Sequence, residues 1–394
     1  MNRIAILAVG FLILFVGGGA RFAIGLTLKP MAEELEGGRA SLGLAVAAYL
    51  IVTSGSMFIA GRLADELSTR AILASGLIIS AVGMGLMGVL STPWQVLAAF
   101  GVIFAIGNGV ASITPVSLMV SRVFPSKAGL ANGVVSAGMS AGQLLIIGAL
   151  AVVLARSGWR AVFLWGAAAH VLLLPFVVWA VPSITSGPSQ PSDQGVLAMA
   201  SAGVPLRAAA GRHQFWLLIA VYAMCGFDDF FVSTHVVAFA QDRGVEALLA
   251  GHLLALMGLV GFAGVILAGA WSDRAGPVVP AVASFFLRIT AFAVIMLDQS
   301  PAAVAAFALL FGFTFLMTAP LLVIFVREAF GMVNLGAITG LIVMIHHMCG
   351  GVGAWIGAAI FDTYGGYDAA FALMLASSLL AAFLSAALGR GSRR

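Results

Sequence analysis

Long apolar segments separated by short polar ones fill almost the whole chain and limit what it can fold into. A helix of about 20 apolar residues crosses the hydrocarbon core of a bilayer, and twelve segments reach that length. Their approximate bounds are 4–28, 42–61, 71–91, 95–122, 127–155, 160–181, 213–240, 248–272, 278–297, 302–328, 334–361 and 367–389. Because apolar residues run through these segments without alternating, they predict helices and not barrel strands.

Composition agrees with an all-α integral membrane protein. Hydrophobic residues make up 62% of the chain and charged residues 9%, whereas soluble domains carry about 25% charged residues. The mean hydropathy is +1.11. The first segment continues its apolar character to Leu28, so we interpret it as a retained helix and not a cleaved signal peptide. Cys225 and Cys349 both lie within apolar segments without ligands at metal spacing, so no metal site and no cofactor are predicted.

Two fragments of the sequence recur at the same offset. GRLAD at 61–65 returns as GAWSD at 269–273, and GWRAVF at 158–163 returns as GYDAAF at 366–371. Both copies are shifted by 208 residues. Repetition at half the chain length predicts one structural unit that occurs twice.

A polar stretch rich in Ser and Pro separates the sixth apolar segment from the seventh, which is typical of a linker. We therefore predict an N-terminal six-helix half at 1–181, a cytoplasmic linker at 182–212 and a C-terminal six-helix half at 213–394. Two halves with six helices each enter the membrane from the same side and form parallel repeats. Such halves can rock against each other around a site at their interface.

The basic residues predict the orientation. If the N-terminus is cytoplasmic, twelve basic residues lie on that side and five on the other, so the positive-inside rule places both termini in the cytoplasm. The cytoplasmic set is Arg3, Arg62, Arg70, Arg122, Lys127, Arg207, Arg212, Arg274, Arg327, Arg390, Arg393 and Arg394; the other is Lys29, Arg39, Arg156, Arg160 and Arg243. The net charge of +4 is explained by arginines facing anionic lipid and requires no nucleic-acid partner. We expect a monomer in the cell (inner) membrane.

The stretch 61–70, GRLADELSTR, resembles the cytoplasmic signature of the major facilitator superfamily, with a weaker copy at 269–276. The resemblance covers nearly the whole chain. It implies the twelve-helix fold of secondary transporters that work by alternating access, and not an enzyme. It further implies that Gly61 ends the second helix, and that Asp65 caps the third helix or pairs with Arg122 as a latch. Gating or structural roles are predicted for Gly61, Asp65, Arg70, Arg122, Gly269, Asp273 and Arg288.

A plain tight turn is the alternative to this latch. The sequence departs from the family pattern at three positions of the signature. Ser68 stands for its second glycine, and Glu66 and Thr69 stand for basic residues.

Further fragments are similar to one branch of that superfamily, the monocarboxylate transporter and oxalate:formate antiporter group. They are 124–133, followed by Gly138 and Gly142, together with 330–336 and 347–371. This similarity implies a small organic anion as substrate.

Two departures bear on that substrate. The fifth-helix Gly-Pro pair typical of drug antiporters is replaced by Gly142-Gln143, which makes drug efflux less favoured. The eighth-helix arginine usual in the resembled branch is missing, since 256–270 carries no charge. An exporter or importer of an uncharged or drug-like solute therefore stays open as the alternative.

Arg21 is the first candidate for substrate contact. An ionisable residue at mid-bilayer costs about 2.5–3.5 kcal/mol unless it meets water or a partner. Arg21 lies about 25 Å along its helix from Ile4, close to where the resembled branch carries a lysine that meets the substrate carboxylate. Snorkelling toward the headgroups is the alternative.

Proton coupling is predicted at Asp228, Asp229 and His235 in the seventh helix. A carboxylic acid in a low-dielectric cavity can carry a proton through the transport cycle. Asp228 and His235 share a helix face, whereas adjacent aspartates do not. The alternatives are an ion pair with Arg288, for which we expect a structural pairing, and aspartates that only hydrate the cavity.

Large polar side chains inside the apolar segments complete the predicted substrate site. They are Tyr49, Asn108, Gln143, His346 and His347. Helix packing is the alternative for each of them. No catalytic residues are predicted, since no nucleophile and base or metal-ligand spacing is present, and the absence of a phosphate-binding loop predicts a process driven by an ion or substrate gradient.

Overall fold

The structure, a computed structural model, describes residues 3–124, 128–181, 206–331 and 335–391, and these are helical nearly throughout. The spanning helices are α1 (Arg3–Glu34), α2 (Gly38–Glu66), α3 (Thr69–Met87), α4 (Pro93–Val123), α5 and α6 (together Ala128–Ala180), α7 (His213–Asp242), α8 (Ala247–Ala275), α9 (Val278–Leu297), α10 (Pro301–Phe330), α11 (Leu335–Tyr364) and α12 (Asp368–Gly391). A short helix, Leu206–Ala210, precedes α7. Most of the predicted linker, 182–205, lies outside the described residues.

Gly158 divides the long stretch Ala128–Ala180 into two spans. Its φ of 77° and ψ of 176° are open to glycine and rarely adopted by other residues. Residues 128–157 therefore form α5 and residues 159–180 form α6. With this break the twelve predicted spans and the all-α fold class are confirmed. A glycine with a positive φ also lies between α11 and α12: Gly365, with a φ of 71°, directly precedes the second copy of the repeated fragment.

Three spanning helices are interrupted in the middle. The parts of α1 are Arg3–Ala20 and Ala23–Glu34; α4 consists of Pro93–Val96, the wider π-helical turns of Leu97–Phe104, Ala105–Val110 and Ile113–Val123; α10 consists of Pro301–Thr314 and Thr318–Phe330. Irregular backbone is tolerated at membrane depth where it lines a cavity, because water can satisfy its polar groups. The interruptions therefore indicate where a water-accessible space lies.

The glycine signature folds differently from its prediction. Helix α2 continues through Gly61 to Glu66. The cap of α3 is Ser68, whose Oγ accepts a hydrogen bond of 3.2 Å from the Ala71 amide. The predicted helix end at Gly61 is thus wrong, as is capping by Asp65, because a serine at the second-glycine position is itself a good cap. In the weaker copy, α8 runs through Gly269 and ends at Gly276, with a φ of 73°.

The side chain of Asp65 lies outside the described residues, so its latch with Arg122 stays a prediction. Arg70 has a structural contact, since its Nε donates a hydrogen bond of 2.5 Å to the carbonyl of Val181 at the end of α6. Asp273 is exposed.

Residues 3–181 and residues 206–391, which we call the two halves, touch at one side of the membrane and part at the other. We call the side at which α1 begins the terminal side and the opposite one the far side. On α11, a Cβ at Gly351 would lie 2.9 Å from Ala47 of α2, whereas Gly340, three turns nearer the terminal side on the same face, has nothing within 4 Å.

Helix α8 shows the same difference along one of its faces. A Cβ at Gly251 would lie 2.6 Å from Ala151 of α5, whereas Gly269, five turns nearer the terminal side, has nothing within 4 Å. Faces that pack across the halves on the far side are thus open on the terminal side.

Helices α1 and α5 pack closely within the N-terminal half through glycine. A Cβ at Gly142 would lie 1.9 Å from the carbonyl oxygen of Phe15, and one at Gly138 would lie 2.6 Å from that of Phe11. A backbone contact this close allows no side chain at either position. The small residues here therefore fix the distance between the two helices.

We expect Gly142→Ala to lower the free energy of unfolding by about 1–3 kcal/mol, because the added methyl group forces α1 and α5 apart. Gly133→Ala in the same helix is the matched control, since a Cβ there meets nothing within 4 Å. Thermal unfolding of the purified protein in detergent measures both variants. Equal midpoints for Gly142→Ala and the parent would contradict the close contact.

Candidate functional site

A cavity of about 560 Å³ lies between the halves. Helices α1, α2, α4 and α5 line it from the N-terminal half, and α7, α10 and α11 line it from the C-terminal half. The interruptions of α1, α4 and α10 all contribute to its wall, through Arg21, Ser112 and Phe315. Since the halves part on the terminal side, the cavity faces that side.

A larger crevice of about 940 Å³ lies elsewhere, at the terminal ends of α7, α9, α10 and α12. It is confined to one half, and its charged lining residues, Arg212 and Glu328, are exposed. The cavity between the halves is therefore the candidate site, because both halves contribute to its wall.

Arg21 lies in the interruption of α1 and lines the cavity. Its guanidinium carbon lies 4.5 Å from the centre of the Phe22 ring. Within the described part of the chain, no carboxylate oxygen lies within 4.0 Å of its nitrogens. A buried cation without a counter-charge is costly, so this position favours a negatively charged ligand.

Tyr49 and Asn108 line the same part of the cavity and hold each other in place. The Tyr49 hydroxyl donates a hydrogen bond of 3.0 Å to Asn108 Oδ1, and Asn108 Nδ2 donates one of 3.3 Å to the carbonyl of Gly17. The Tyr49 ring stacks on Phe104, with ring centres 5.6 Å apart. These contacts fix the two polar groups to Gly17, which lies about one helical turn before Arg21 on α1.

Gln143 lies outside the cavity lining. Its side chain is buried, and Nε2 donates a hydrogen bond of 3.2 Å to the carbonyl of Leu254. This bond joins α5 to α8 across the two halves. The structure thus places Gln143 in a helix contact, and its predicted contact with substrate stays a prediction.

Asp229 faces the cavity and forms a buried ion pair with Arg288. The distance from Arg288 Nη2 to Asp229 Oδ1 is 2.8 Å, and both side chains are almost fully buried. Arg288 also donates to the carbonyls of Cys225, at 3.4 Å, and Thr314, at 3.2 Å. Arg288 itself lies on α9 and does not line the cavity, so it acts on the site through Asp229.

His346 and His347 both line the cavity from α11. His346 Nδ1 lies 3.1 Å from the carbonyl of Tyr222, which assigns the proton of a neutral ring to Nδ1. Its Nε2 then directs a lone pair toward Asp229 Oδ2, 3.8 Å away. His347 Nδ1 contacts the carbonyl of Val343 in its own helix at 2.8 Å. His346 is therefore the histidine that faces the ion pair.

Asp228 points away from the cavity. Its Oδ2 accepts a hydrogen bond of 2.7 Å from Ser378 Oγ on α12, and its side chain is fully buried. Adjacent residues of a helix point about 100° apart, so only one of the two aspartates faces the space between the halves. The structure brings Asp229, and not Asp228, to the candidate site.

Cys225, Asp229 and His346 offer ligand atoms within 4.8 Å of one another. The guanidinium of Arg288 lies 2.8 Å from the same carboxylate and already neutralises it. A cation bound there would face that positive charge. We therefore interpret the cluster as part of an ion-pair network and not as a metal centre.

His235 lies outside the cavity lining, on the far side. Its Nδ1 lies 3.0 Å from the Tyr367 hydroxyl, and its Nε2 lies 2.8 Å from the carbonyl of Ala354. The structure therefore separates His235 from Asp229, although both lie on α7.

A cluster of charged groups joins the halves on the far side, and we call it the far-side latch; it consists of Arg39, Asp242, Asp362 and Tyr367. Arg39 of α2 contacts Asp242 of α7 at 2.7 and 2.9 Å and donates a hydrogen bond of 2.7 Å to the Tyr367 hydroxyl. The amides of Arg39 and Ala40 donate to the Asp362 carboxylate at 3.0 and 2.7 Å. Asp242 also pairs with Lys29 of α1, at 2.9 Å.

Sequence reasoning missed the far-side latch. It counted Arg39 only among the basic residues of that side. The available signal was that Arg39 and Asp242 have opposite charge and lie at the ends of predicted helices on the same side. Sequence alone does not show that these two ends meet.

Comparison with known proteins agrees with this geometry. A sequence profile of the Major Facilitator Superfamily matches residues 10–346. An uncharacterized transporter of this type from Bacillus subtilis (strain 168), YcxA, is 24% identical over an alignment that covers 88% of this chain and 87% of the relative. Monocarboxylate transporter 11 of Homo sapiens is 23% identical over an alignment that covers 97% of this chain and 82% of the relative.

Solved structures show the same fold. A mutant form of the nucleoside transporter NupG has a TM-score of 0.81 at 14% identity, over 98% of this chain and 99% of its own. A bacterial homologue of the human lysosomal transporter Spinster, in an inward-facing and unoccupied conformation, also has a TM-score of 0.81, at 17% identity, over 99% of this chain and 97% of its own.

The matched family, the relatives and the fold neighbours are transporters, which agrees with a cavity that both halves of the molecule enclose. The chain is a multi-pass membrane protein with apolar helices of spanning length. It belongs to the Major Facilitator Superfamily and is a secondary transporter of small molecules, not an enzyme.

Proposed function

We propose that the protein carries a small, carboxylate-like organic anion and couples its movement to protons. The observation that carries this proposal is the charge balance of the cavity. Arg21 and Asp229 are the charged side chains among its described lining residues. Asp229 is already neutralised by Arg288 at 2.8 Å, which leaves the charge of Arg21 uncompensated. A cavity with one free positive charge favours an anion.

The residues near Arg21 fit a carboxylate. A guanidinium can donate two parallel hydrogen bonds to the two carboxylate oxygens, which a lysine cannot do. Asn108 Nδ2 and the Tyr49 hydroxyl are held in fixed positions close by. The rest of the wall is largely apolar, with Leu14 and Met139 among its residues, and suits the carbon skeleton of the substrate.

Asp229 and His346 are the groups that we assign to proton coupling. The lone pair on His346 Nε2 and the carboxylate oxygen of Asp229 face each other across 3.8 Å, so a proton that arrives there is attracted by both. Its binding adds one positive charge to a wall that already carries Arg21. At an effective dielectric constant of about 20, a charge raises the affinity of an anion roughly tenfold over a separation of about 10 Å. Proton and anion binding would thus favour each other.

Rocking of the two halves moves the site from one side of the membrane to the other. The excess of basic residues at the terminal side supports a cytoplasmic location for that side, with both termini in the cytoplasm of a cell-membrane protein. The described conformation is then inward-facing, closed by the far-side latch. The inward-facing conformation of the Spinster homologue with a TM-score of 0.81 supports this assignment.

Two relatives support the anion class. Monocarboxylate transporters 11 and 13 are 23% and 24% identical to this chain. The apolar wall, which includes Phe230, Phe315 and Leu322, favours one competing assignment, an uncharged or drug-like solute. Matched pairs of charged and uncharged compounds separate the two assignments.

We expect the protein in reconstituted vesicles to exchange carboxylates and not their amides. The probes are lactate against lactamide and benzoate against benzamide, which share shape and differ in charge. Arg21→Gln should weaken binding by roughly tenfold to hundredfold, since a hydrogen bond to a charged group contributes about 1.5–3 kcal/mol. Arg21→Lys should lose less affinity for the carboxylate than Arg21→Gln, because lysine keeps the positive charge. Counterflow and thermal shift of the purified protein measure both effects.

The same replacement of Arg243, which is exposed on the far side, is the control for the loss of one arginine. Exchange of amides as fast as that of carboxylates would support the uncharged solute. Unchanged anion affinity in Arg21→Gln would remove Arg21 from the site.

We expect His346→Gln to abolish uptake driven by an inward proton gradient while exchange at equal pH continues, because the proton site is lost and the anion site is kept. Wild-type uptake should rise as the pH of the uptake side falls, since symport draws on the proton concentration there. Asp229→Asn should behave in the same way, but it leaves Arg288 buried without a counter-charge and is expected to destabilise the fold. The double variant Asp229→Asn/Arg288→Gln separates the two effects.

Asp228→Asn distinguishes the adjacent carboxylates. The geometry predicts that this variant keeps proton-driven uptake, because Asp228 faces Ser378 and not the cavity. If Asp228→Asn loses proton drive while His346→Gln retains it fully, the assignment to Asp229 and His346 is wrong.

A further inference from the structure

A chain of hydrogen bonds leads from His235, buried in the far-side part of α7, to the charged groups that close the far side. We propose that His235 is a second proton-binding site of this transporter, which controls the far-side latch. Neutral His235 completes the closed latch, and protonated His235 releases it. This inference concerns the far-side latch and not the substrate, so it stands apart from the choice of anion.

The direction of each hydrogen bond follows from what each group can donate. The Arg39 guanidinium has no atom that can accept a hydrogen bond, so its Nη1 donates to the Tyr367 oxygen at 2.7 Å. The Tyr367 hydroxyl is then free to donate to His235 Nδ1, at 3.0 Å. Nδ1 must accept, so the ring proton is on Nε2, which donates to the carbonyl of Ala354 at 2.8 Å. Every polar atom of the chain is satisfied when His235 is neutral.

Protonation breaks this pattern at Tyr367. A proton on Nδ1 turns the acceptor of the Tyr367 hydroxyl into a donor. The Tyr367 oxygen would then receive hydrogens from both Arg39 and His235, and its own hydrogen would have to point elsewhere. Four phenylalanine rings surround Tyr367 with ring centres 4.8 to 6.2 Å away. The rings offer no strong acceptor. The two carboxylates that act on Tyr367, those of Asp242 and Asp362, are already engaged by Arg39, Lys29 and backbone amides, so the hydroxyl hydrogen loses its partner in the closed latch.

The charges around His235 act in the same direction. Arg39 of α2 is the cation joined to His235 through Tyr367, and Lys29 of α1 adds a second one beyond it. Asp242, at the end of the same helix α7, is engaged by both of these cations, and Asp362 of α11 is engaged by backbone amides. A positive charge on His235 would therefore face Arg39 without a free carboxylate.

The closed latch thus has a lower affinity for a proton at His235 than a state in which water reaches the ring. By thermodynamic linkage, a proton bound at His235 must then favour the far-side-open state by the same factor. Losing the partner of one buried donor corresponds to roughly tenfold in the ratio of open to closed molecules. Protons arriving from the far side would open that side for the next cycle, and loss of the proton would close it.

The test measures the distance between the far-side ends of the two halves by pulsed electron–electron double resonance. Nitroxide labels are attached at Ser157→Cys, at the end of α5, and Ala302→Cys, at the start of α10, both of which are exposed. The background carries Cys349→Ala and keeps the fully buried Cys225. The protein is in lipid nanodiscs without substrate. In wild type, the ratio of molecules with the long distance to molecules with the short distance should rise roughly tenfold as the pH falls from about 8 to about 5. Histidine titrates over this range.

The variants isolate the chain of bonds. His235→Gln keeps an acceptor for Tyr367 and a donor for Ala354 without a titratable ring, so the short distance should persist at low pH. Tyr367→Phe should remove the pH response and raise the open fraction at all pH values, because Arg39 loses an acceptor. His252→Gln, the same replacement on α8, should leave the response of wild type unchanged. Arg39→Gln should give the long distance at every pH and shows that the labels report opening.

A full pH response in His235→Gln would overturn the proposal. So would a wild-type distance that does not change with pH while Arg39→Gln opens. A response that His252→Gln removes would assign the switch to that histidine instead. None of these measurements uses a substrate, so the result is independent of the proposed anion transport.

Discussion

The cost of a charge inside a bilayer governs how this molecule is built. Arg288 is fully buried and is stable there because Asp229 and two backbone carbonyls surround it. Arg21 has no such partner among the described residues and lies instead where an interrupted helix meets the cavity. The two arginines show the two ways in which the fold tolerates a cation, one by permanent pairing and one by access to water and ligand. The proposed anion site requires the second kind, since a permanently paired charge cannot bind a further anion.

The same principle applies to the backbone. Unpaired amide and carbonyl groups are as costly in lipid as side-chain charges. The interruptions of α1, α4 and α10 occur where these helices line the space between the halves, and this places Arg21, Ser112 and Phe315 on the cavity wall. The chain concentrates its irregular structure at the candidate site.

Much of the fold could be predicted from the sequence, because hydrophobic length and repetition are local or periodic signals. The twelve spans follow from them, including the break between the fifth and sixth spans where Gly158 lies. The family was predicted from motifs, above all the stretch 61–70. The depth of Arg21 within an apolar segment also made it a candidate for substrate contact.

Other features depend on which helices meet in three dimensions. The pairing of Arg39 with Asp242, the burial of Gln143 against α8 and the choice of Asp229 over Asp228 require knowledge of helix rotation. The predicted end of α2 at Gly61 is wrong. The prediction followed the family pattern, but this chain has Ser68 in place of the second glycine, and Ser68 caps α3.

Glycine faces that are packed at one end and empty at the other show what the opposite conformation requires. A Cβ at Gly340 or Gly269 would meet no described atom of another helix within 4 Å, but their far-side counterparts Gly351 and Gly251 show how closely such faces can approach. In the proposed rocking motion, the vacant faces would become the new contact between the halves, and the packed faces would separate. The protein thus has two sets of glycine faces, of which only one is packed in each conformation. A bulky side chain at Gly340 or Gly269 would leave the present conformation intact and block the opposite one.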